Sequence, residues 1–183
     1  RKKQGFCVET RRSVRKYKAE MPSLEDIKKV IKAGLEAPSG MNEQSAVIVA
    51  ITNKDIRDKL SKLNARIMGM EGVDPFYGAP VVLVVLANKK YPTAIYDGSV
   101  AIENMLLASH SLGLGSCAAW SLGIGSCWIH RAKEEFETEE GKEILKKLGL
   151  NGEFEGVGHC ILGYADENPV AHAIKEGRVF YIS

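Results

Sequence analysis

The feature that most constrains this chain is the run Pro80-Val81-Val82-Leu83-Val84-Val85-Leu86-Ala87-Asn88, in which aliphatic residues follow one another without a polar interruption. A strand with one wet face alternates polar and apolar side chains, because successive residues point to opposite sides. A strand without alternation must be covered on both faces. The run is far too short to cross a bilayer, which takes about 20 apolar residues as a helix. Around it lie 183 residues, 45% of them hydrophobic, enough for one domain with a substantial core. No linker divides them, so residues 1–183 are expected to form a single domain.

The flanking segments read as alternating helices and strands. Ser23 with Asp26 is a capping-box pattern, and Leu24, Ile27, Ile31 and Leu35 recur at helical spacing, predicting a helix over 24–36 that Pro38 stops. Ala46 to Thr52 is β-branched and predicts a strand. Asn53 then caps a helix whose core stripe is Ile56, Leu60, Leu63, Ile67 and Met70. A loop over 69–77 ends in Phe76 and Tyr77, aromatics suited to exposure. Asp97 is expected to cap a helix that ends at Gly113, with Ile102, Met105, Leu106, Ser109 and Leu112 inward. A helix over 133–148 splits near Thr138 and stops at Gly149. His159 to Tyr164 reads as a central strand, residues 170–177 as a polar loop, and Val179-Phe180-Tyr181-Ile182 as a terminal strand. Gly5 argues against a regular helix in the first ten residues. The result is an α+β or α/β domain around one sheet, with strand directions undetermined.

Residues 111–117 and 121–127 form a near-repeat offset by ten positions, each copy holding a G-x-G. Both lack the third glycine and follow a helix rather than a strand, so neither is a dinucleotide fingerprint; one copy reads as structural and the other as a bulge. Cys7, Cys117, Cys127 and Cys160 make no C-x-x-C pair, and His110, His130, His159 and His172 lie at no zinc spacing. Neither a metal site nor a disulfide framework is expected, and reduced buried thiols fit a cytoplasmic protein. The N-terminus has no apolar signal-peptide core. A net charge of +2 gives no global field for nucleic acid.

The positive charge is local instead. Arg11-Arg12-Ser13-Val14-Arg15-Lys16-Tyr17 places four cations and a hydroxyl within seven residues, with Val14 and Tyr17 as apolar anchors. Such a segment can hold a phosphate by charge and hydrogen bond. A solvated basic helix end is the other reading of the same residues.

Four segments in order, spaced over nearly the whole chain, resemble the FMN-dependent nitroreductase family: R-R-S-V-R-K-Y at 11–17, A-P-S-G-M-N-E-Q at 37–44, L-G-I-G-S-C-W-I at 122–129 and L-G-Y at 162–164. The resemblance implies an α+β fold with a mostly antiparallel central sheet flanked by helices, built as an intimate homodimer with two FMN sites at its interface. Carried over by position, Arg11, Arg12, Ser13 and Arg15 would hold FMN, the first ones near phosphate and ribityl and Arg15 toward the pyrimidine edge. Pro38, Ser39, Gly40 and Asn42 resemble the loop that packs on the flavin of the partner subunit. Trp128, Ile129 and His130 match the segment against the isoalloxazine, where a backbone N–H at about His130 would meet flavin N5; His130 has a backbone role only. Gly163 and Tyr164 match the closing turn by the ring or ribityl chain. Lys175 first and Arg178 second are expected to complete the phosphate site. Chemistry agrees, since a phosphate dianion needs charge-assisted donors and a cation at the pyrimidine edge favours the anionic reduced flavin.

The activity implied by the resemblance is hydride transfer from NADH or NADPH through flavin N5 to a nitroaromatic, quinone or similar small-molecule acceptor. The cofactor carries the chemistry, so no catalytic side chain is assigned. A non-catalytic FMN storage or sensor protein is the alternative served by the same motifs. There is little room for a helical lid, which implies an open site. Val179 to Ile182 would be a liability as a free edge, a further reason to expect a homodimer. Neither nucleic acid nor membrane is an expected partner.

Overall fold

The computed structural model describes residues 3–113, 123–150, 153–171 and 173–182. The aliphatic run is strand β2 (Val81–Asn88), and every side chain from Val81 to Ala87 is buried. Its two faces serve two cores. Val82, Val84 and Leu86 pack with Leu60 and Leu63 of helix α3 (Lys54–Met68), Phe136 of α5 (Ala132–Glu137) and Leu145 of α6 (Glu139–Lys147). Val81, Leu83 and Val85 pack with Ile27 and Val30 of α2 (Leu24–Leu35) and with Ile102, Met105 and Leu106 of α4 (Ala94–Gly113). Each such side chain contributes roughly 1.5–3 kcal/mol by leaving water, so the missing alternation is the direct record of a helix layer on each side.

Strands β1 (Ala46–Ile51), β2, β3 (Ile124–Ile129) and β4 (Phe154–Tyr164) form one sheet in the order β1-β2-β4-β3, every pairing antiparallel. β4 is central, as expected, and begins earlier than His159, at Phe154. Its register shifts opposite Val85 and Leu86, which face Gly158 and Gly156 and leave Val157 without an opposite residue. Two caps are those read from the sequence: Ser23 Oγ accepts from the Asp26 amide at 3.1 Å and Asn53 Oδ1 from Ile56 at 3.0 Å. The expected split near Thr138 falls between α5 and α6, where Thr138 caps α6 by accepting from Gly141 at 3.0 Å.

Several expectations are corrected. Helix α1 (Lys3–Thr10) runs straight through Gly5. Asp97 does not precede α4 but lies in its first turn, because the helix starts at Ala94. Ile56 stands exposed at the rim of the α3 stripe, Met70 lies past the end of that helix and is exposed, and Phe76 is fully buried while Tyr77 is exposed. Of the near-repeat, the second copy is the structural one, its residues 124–127 being part of β3, a strand that was not expected there. Residues 179–182 form no strand, since no edge of this sheet pairs with them, and all are exposed. Residues 114–117 of the first copy, 121 and 122 of the second, and His172 lie outside the described residues.

Candidate functional site

The basic segment runs extended from the end of α1 and is stitched to the sheet. Ser13 bridges Ser126 of β3 in parallel, and Tyr17 bridges Ala165 just past β4. The Val14 amide donates to the Ser126 carbonyl at 3.0 Å and the Lys18 amide to the Tyr164 carbonyl at 2.9 Å. Two glycines make room for the anchors. A Cβ at Gly125 would lie 2.7 Å from Val14 Cγ2, and one at Gly163 would lie 2.8 Å from Tyr17 Cδ1. The Tyr17 hydroxyl donates to the Val14 carbonyl at 2.6 Å, and burial pushes its phenol far above the ordinary range. Val14 and Tyr17 are therefore the apolar anchors expected, and they pin the backbone from which the arginines project.

Their electrostatics are unbalanced. Arg11 Nη1 is buried with no hydrogen-bond partner, an arrangement that is expensive for a charged donor. Arg12 Nη1 donates to the Glu9 carbonyl at 2.8 Å and the Arg11 carbonyl at 2.7 Å. Arg15 is exposed, and its amide donates to the Glu167 carboxylate. Thr10 Oγ1 meets His110 Nε2, in the last turn of α4, at 2.9 Å. Burial first, and then Arg11 and Arg12, hold His110 below the ordinary histidine value, so it adds no charge near neutral pH. A cationic cluster on a pinned backbone, with an unsatisfied buried donor, suits an anion such as phosphate.

The loop carrying Pro38, Ser39, Gly40 and Asn42 is a strained turn held from below. Met41, Asn42 and Gln44 all have positive φ, at 50°, 58° and 47°, conformations that persist only where the surroundings enforce them. Asp97 does this. Its carboxylate accepts from the Gly40 amide at 3.0 Å, Ser45 Oγ at 2.6 Å and Thr93 Oγ1 at 3.3 Å. Removal from water pushes that carboxyl up, and the three hydrogen bonds outweigh it, leaving the pKa below the ordinary 3.8. Pro38, Ser39 and Gln44 line a cleft of about 180 Å³ with Asp97 and Ala101, less than the roughly 300–1,000 Å³ of small-molecule sites. Asp97 and His110 occupy the first and last turns of the 20-residue α4, so the side chains that meet Gly40 and Thr10 stand roughly 20 Å apart along that helix.

β3 joins the remaining candidates. It is 6 residues long, about 20 Å, with the basic segment, Gly163 and Tyr164 beside its start and Trp128, Ile129 and His130 at its end. The Trp128 ring lies over Gly158, where a Cβ would come 2.3 Å from Nε1. Ile129 is buried, His130 is exposed, and the His130 carbonyl accepts from Asn64 Nδ2 at 3.0 Å. Lys175 and Arg178 both stand exposed, and neither bonds to the other described residues. Thr10, His110 and Asp97 were missed as site residues. Only the position of Asp97 before a helical pattern hinted at a structural task.

Among the described residues no three His, Cys, Asp or Glu side chains are grouped to hold a metal ion, and no helix is long and apolar enough to cross a membrane. Residues 8–71 match the sequence model of the Nitroreductase family. A protein of Archaeoglobus fulgidus, provisionally named an NADH dehydrogenase/NAD(P)H nitroreductase, is 36% identical over 114 residues, 60% of this chain and 62% of that protein. An iodotyrosine deiodinase of Thermotoga neapolitana is 30% identical over 125 residues, 58% of this chain and 67% of the deiodinase. The chain thus spans about three-fifths to two-thirds of the length of these relatives. Two crystal structures, of nitroreductases with bound FMN from Bacteroides fragilis and Desulfitobacterium hafniense, superpose with TM-scores of 0.86 and 0.83 at 26% and 25% identity, covering 100% of both chains in each case.

Proposed function

This chain belongs to the nitroreductase family, and we propose that it is an FMN-dependent oxidoreductase that draws on NADH or NADPH and reduces a small acceptor such as a nitroaromatic or a quinone. The observation that carries the reading is Arg11 Nη1, a buried cationic donor without a partner in a segment pinned to the sheet. The FMN bound in the two superposed structures supports the choice of anion. When bound, FMN supplies hydride transfer; the chain's residues bind and orient it.

Arg11, Arg12 and Ser13 hold the phosphate and ribityl, and Arg15 lies toward the pyrimidine edge, where a cation favours reduced flavin. Trp128 and Ile129 flank the ring, with the His130 amide as donor to N5, and Gly163 and Tyr164 close the turn near the ribityl chain. Lys175 and Arg178 reach the phosphate once the tail carrying them is seated. Pro38, Ser39, Gly40 and Asn42 act on the flavin of a second copy, a division supported by their distance from the basic segment and by a cleft too small to hold the cofactor alone. We take residues 1–183 as one domain that works as a homodimer. Cys7, Cys127 and Cys160, buried and unpaired, favour a reducing compartment such as the cytoplasm.

The test is the visible spectrum of the protein reconstituted with FMN and titrated anaerobically with NADH, then NADPH. Bleaching of the bound-flavin band is expected with at least one donor, followed by reoxidation on adding a quinone. Flavin that binds but stays oxidised would indicate storage or sensing instead.

A further inference from the structure

Behind the strand end that carries Trp128, Ile129 and His130 lies a polar cluster with no part in the scheme above. Asn64 of α3, Glu135 of α5 and His159 of β4 are all fully buried. His159 Nδ1 meets the Ile129 carbonyl at 3.1 Å, and Nε2 meets Glu135 Oε2 at 2.7 Å. A carbonyl only accepts, so Nδ1 carries a hydrogen, and the contact with Glu135 holds one further proton on one partner or the other. Asn64 Nδ2 donates to the other Glu135 oxygen and to the His130 carbonyl, the latter at 3.0 Å. Asn64 Oδ1 is left buried with no partner. The next residue, Arg131, has φ of 76°, a strained value for a non-glycine residue. Two consecutive carbonyls are thus gripped by side chains of α3 and β4, both tied to Glu135 of α5, immediately before a strained turn.

Stability does not explain this arrangement, because apolar residues of similar volume commonly serve a core as well as a buried ionisable pair. Peptide geometry offers a reason. The Ile129 carbonyl and the His130 N–H belong to one planar trans unit, so they point in opposite directions. Holding the carbonyl from the core side aims the N–H away from it, and a hydrogen bond to the carbonyl polarises that N–H into a stronger donor.

We propose that the Glu135–His159–Asn64 network is a positioning device for the peptide between Ile129 and His130, and that through the His130 amide it sets the balance between oxidised and reduced flavin. The proposal rests on the FMN reading given above. A strengthened donor favours the oxidised ring, whose N5 accepts, over the reduced ring, whose N5 carries hydrogen. Weakening the network therefore shifts the balance toward reduced flavin.

The experiment measures FMN affinity and the two-electron midpoint potential in the wild type and in Glu135→Gln, which keeps the shape and removes the carboxylate. The expected result is retained FMN and at least a fivefold shift in the affinity ratio toward the reduced form, about 20 mV upward for a two-electron couple. An unchanged potential beside a lowered unfolding temperature would make the network purely structural and overturn the proposal. Should the variant fail to fold, the wild type answers instead. Its His159 ring nitrogens and His130 amide are expected to shift in 15N NMR between oxidised and reduced FMN, and constancy of both would overturn the proposal equally. Failure of the wild type to bind FMN would show itself first, and would count against the underlying function rather than the network.

Discussion

Arg11 separates a binding group from a structural one by the sign of its effects. Its buried Nη1 lacks a partner, and leaving a charged donor unpaired costs about 1–3 kcal/mol or more. Arg11→Met keeps the packing of the stem and removes that burden. Flavin-free protein should therefore melt no lower than the wild type by calorimetry, while FMN binds at least about tenfold more weakly, as loss of a charge-assisted bond requires. Lower stability with unchanged FMN affinity would make Arg11 structural. His110 reports on the same site. Its folded pKa lies below the ordinary 6.5, through burial first and then Arg11 and Arg12, so the unfolded chain binds the proton more readily. Its contribution to stability is accordingly intact above about pH 6.5 and lost as pH falls from there through the folded value. A phosphate on Arg11 and Arg12 offsets their repulsion of the imidazolium, so FMN should raise the pKa of His110 in an NMR titration. If the titration is the same with and without FMN, the phosphate binds elsewhere.

Elements were legible in the sequence where their cause is local. The unbroken run of β2, the Ser23 and Asn53 caps, the helix break near Thr138 and the two anchors of the basic segment each follow from neighbours in the chain. β3 escaped notice because Ile124-Gly125-Ser126-Cys127 has little strand character of its own. Gly125 is there to admit Val14, and Ser126 Oγ meets Ser109 Oγ at 2.5 Å, reasons that exist only after folding. Residues 179–182 were misread for the converse reason: their propensity is high, but a strand needs an edge to pair with. Asp97 looked like a cap, and its partners at Gly40, Ser45 and Thr93 were beyond any local pattern. Asp97→Ala leaves those three donors without their acceptor and releases the strained loop, so a loss of about 2–4 kcal/mol is expected in urea unfolding. Asp97 is depressed below 3.8, so its support is complete above that pH and disappears as pH falls through the folded value. The variant should lose that segment of the acid-stability curve. An unchanged curve would mean that the loop is held by something other than Asp97.

At the scale of the whole molecule, the proposed site has parts held by opposite ends of α4. Within one chain Gly40 of the loop and Thr10 beside the basic segment are held at opposite ends of α4, roughly 20 Å apart along it, and Phe180, Tyr181 and Ile182 are exposed at 85%, 93% and 102%. A row of large apolar side chains with unpaired backbone is unstable in water as a free arm. Buried on a second copy, each would contribute roughly 1.5–3 kcal/mol. Two-fold symmetry would bury both arms at once and bring each loop to the other chain's basic segment. Sedimentation should therefore give about twice the 20.0 kDa chain mass. Phe180→Asp with Ile182→Asp should shift the protein toward monomer and release FMN in the same concentration range, because in the proposed dimer each flavin would need residues of both copies. Far-UV circular dichroism should stay unchanged, since neither residue belongs to the two cores. A monomeric variant that kept full FMN affinity would assign the whole flavin site to one chain and remove the 38–42 loop from it.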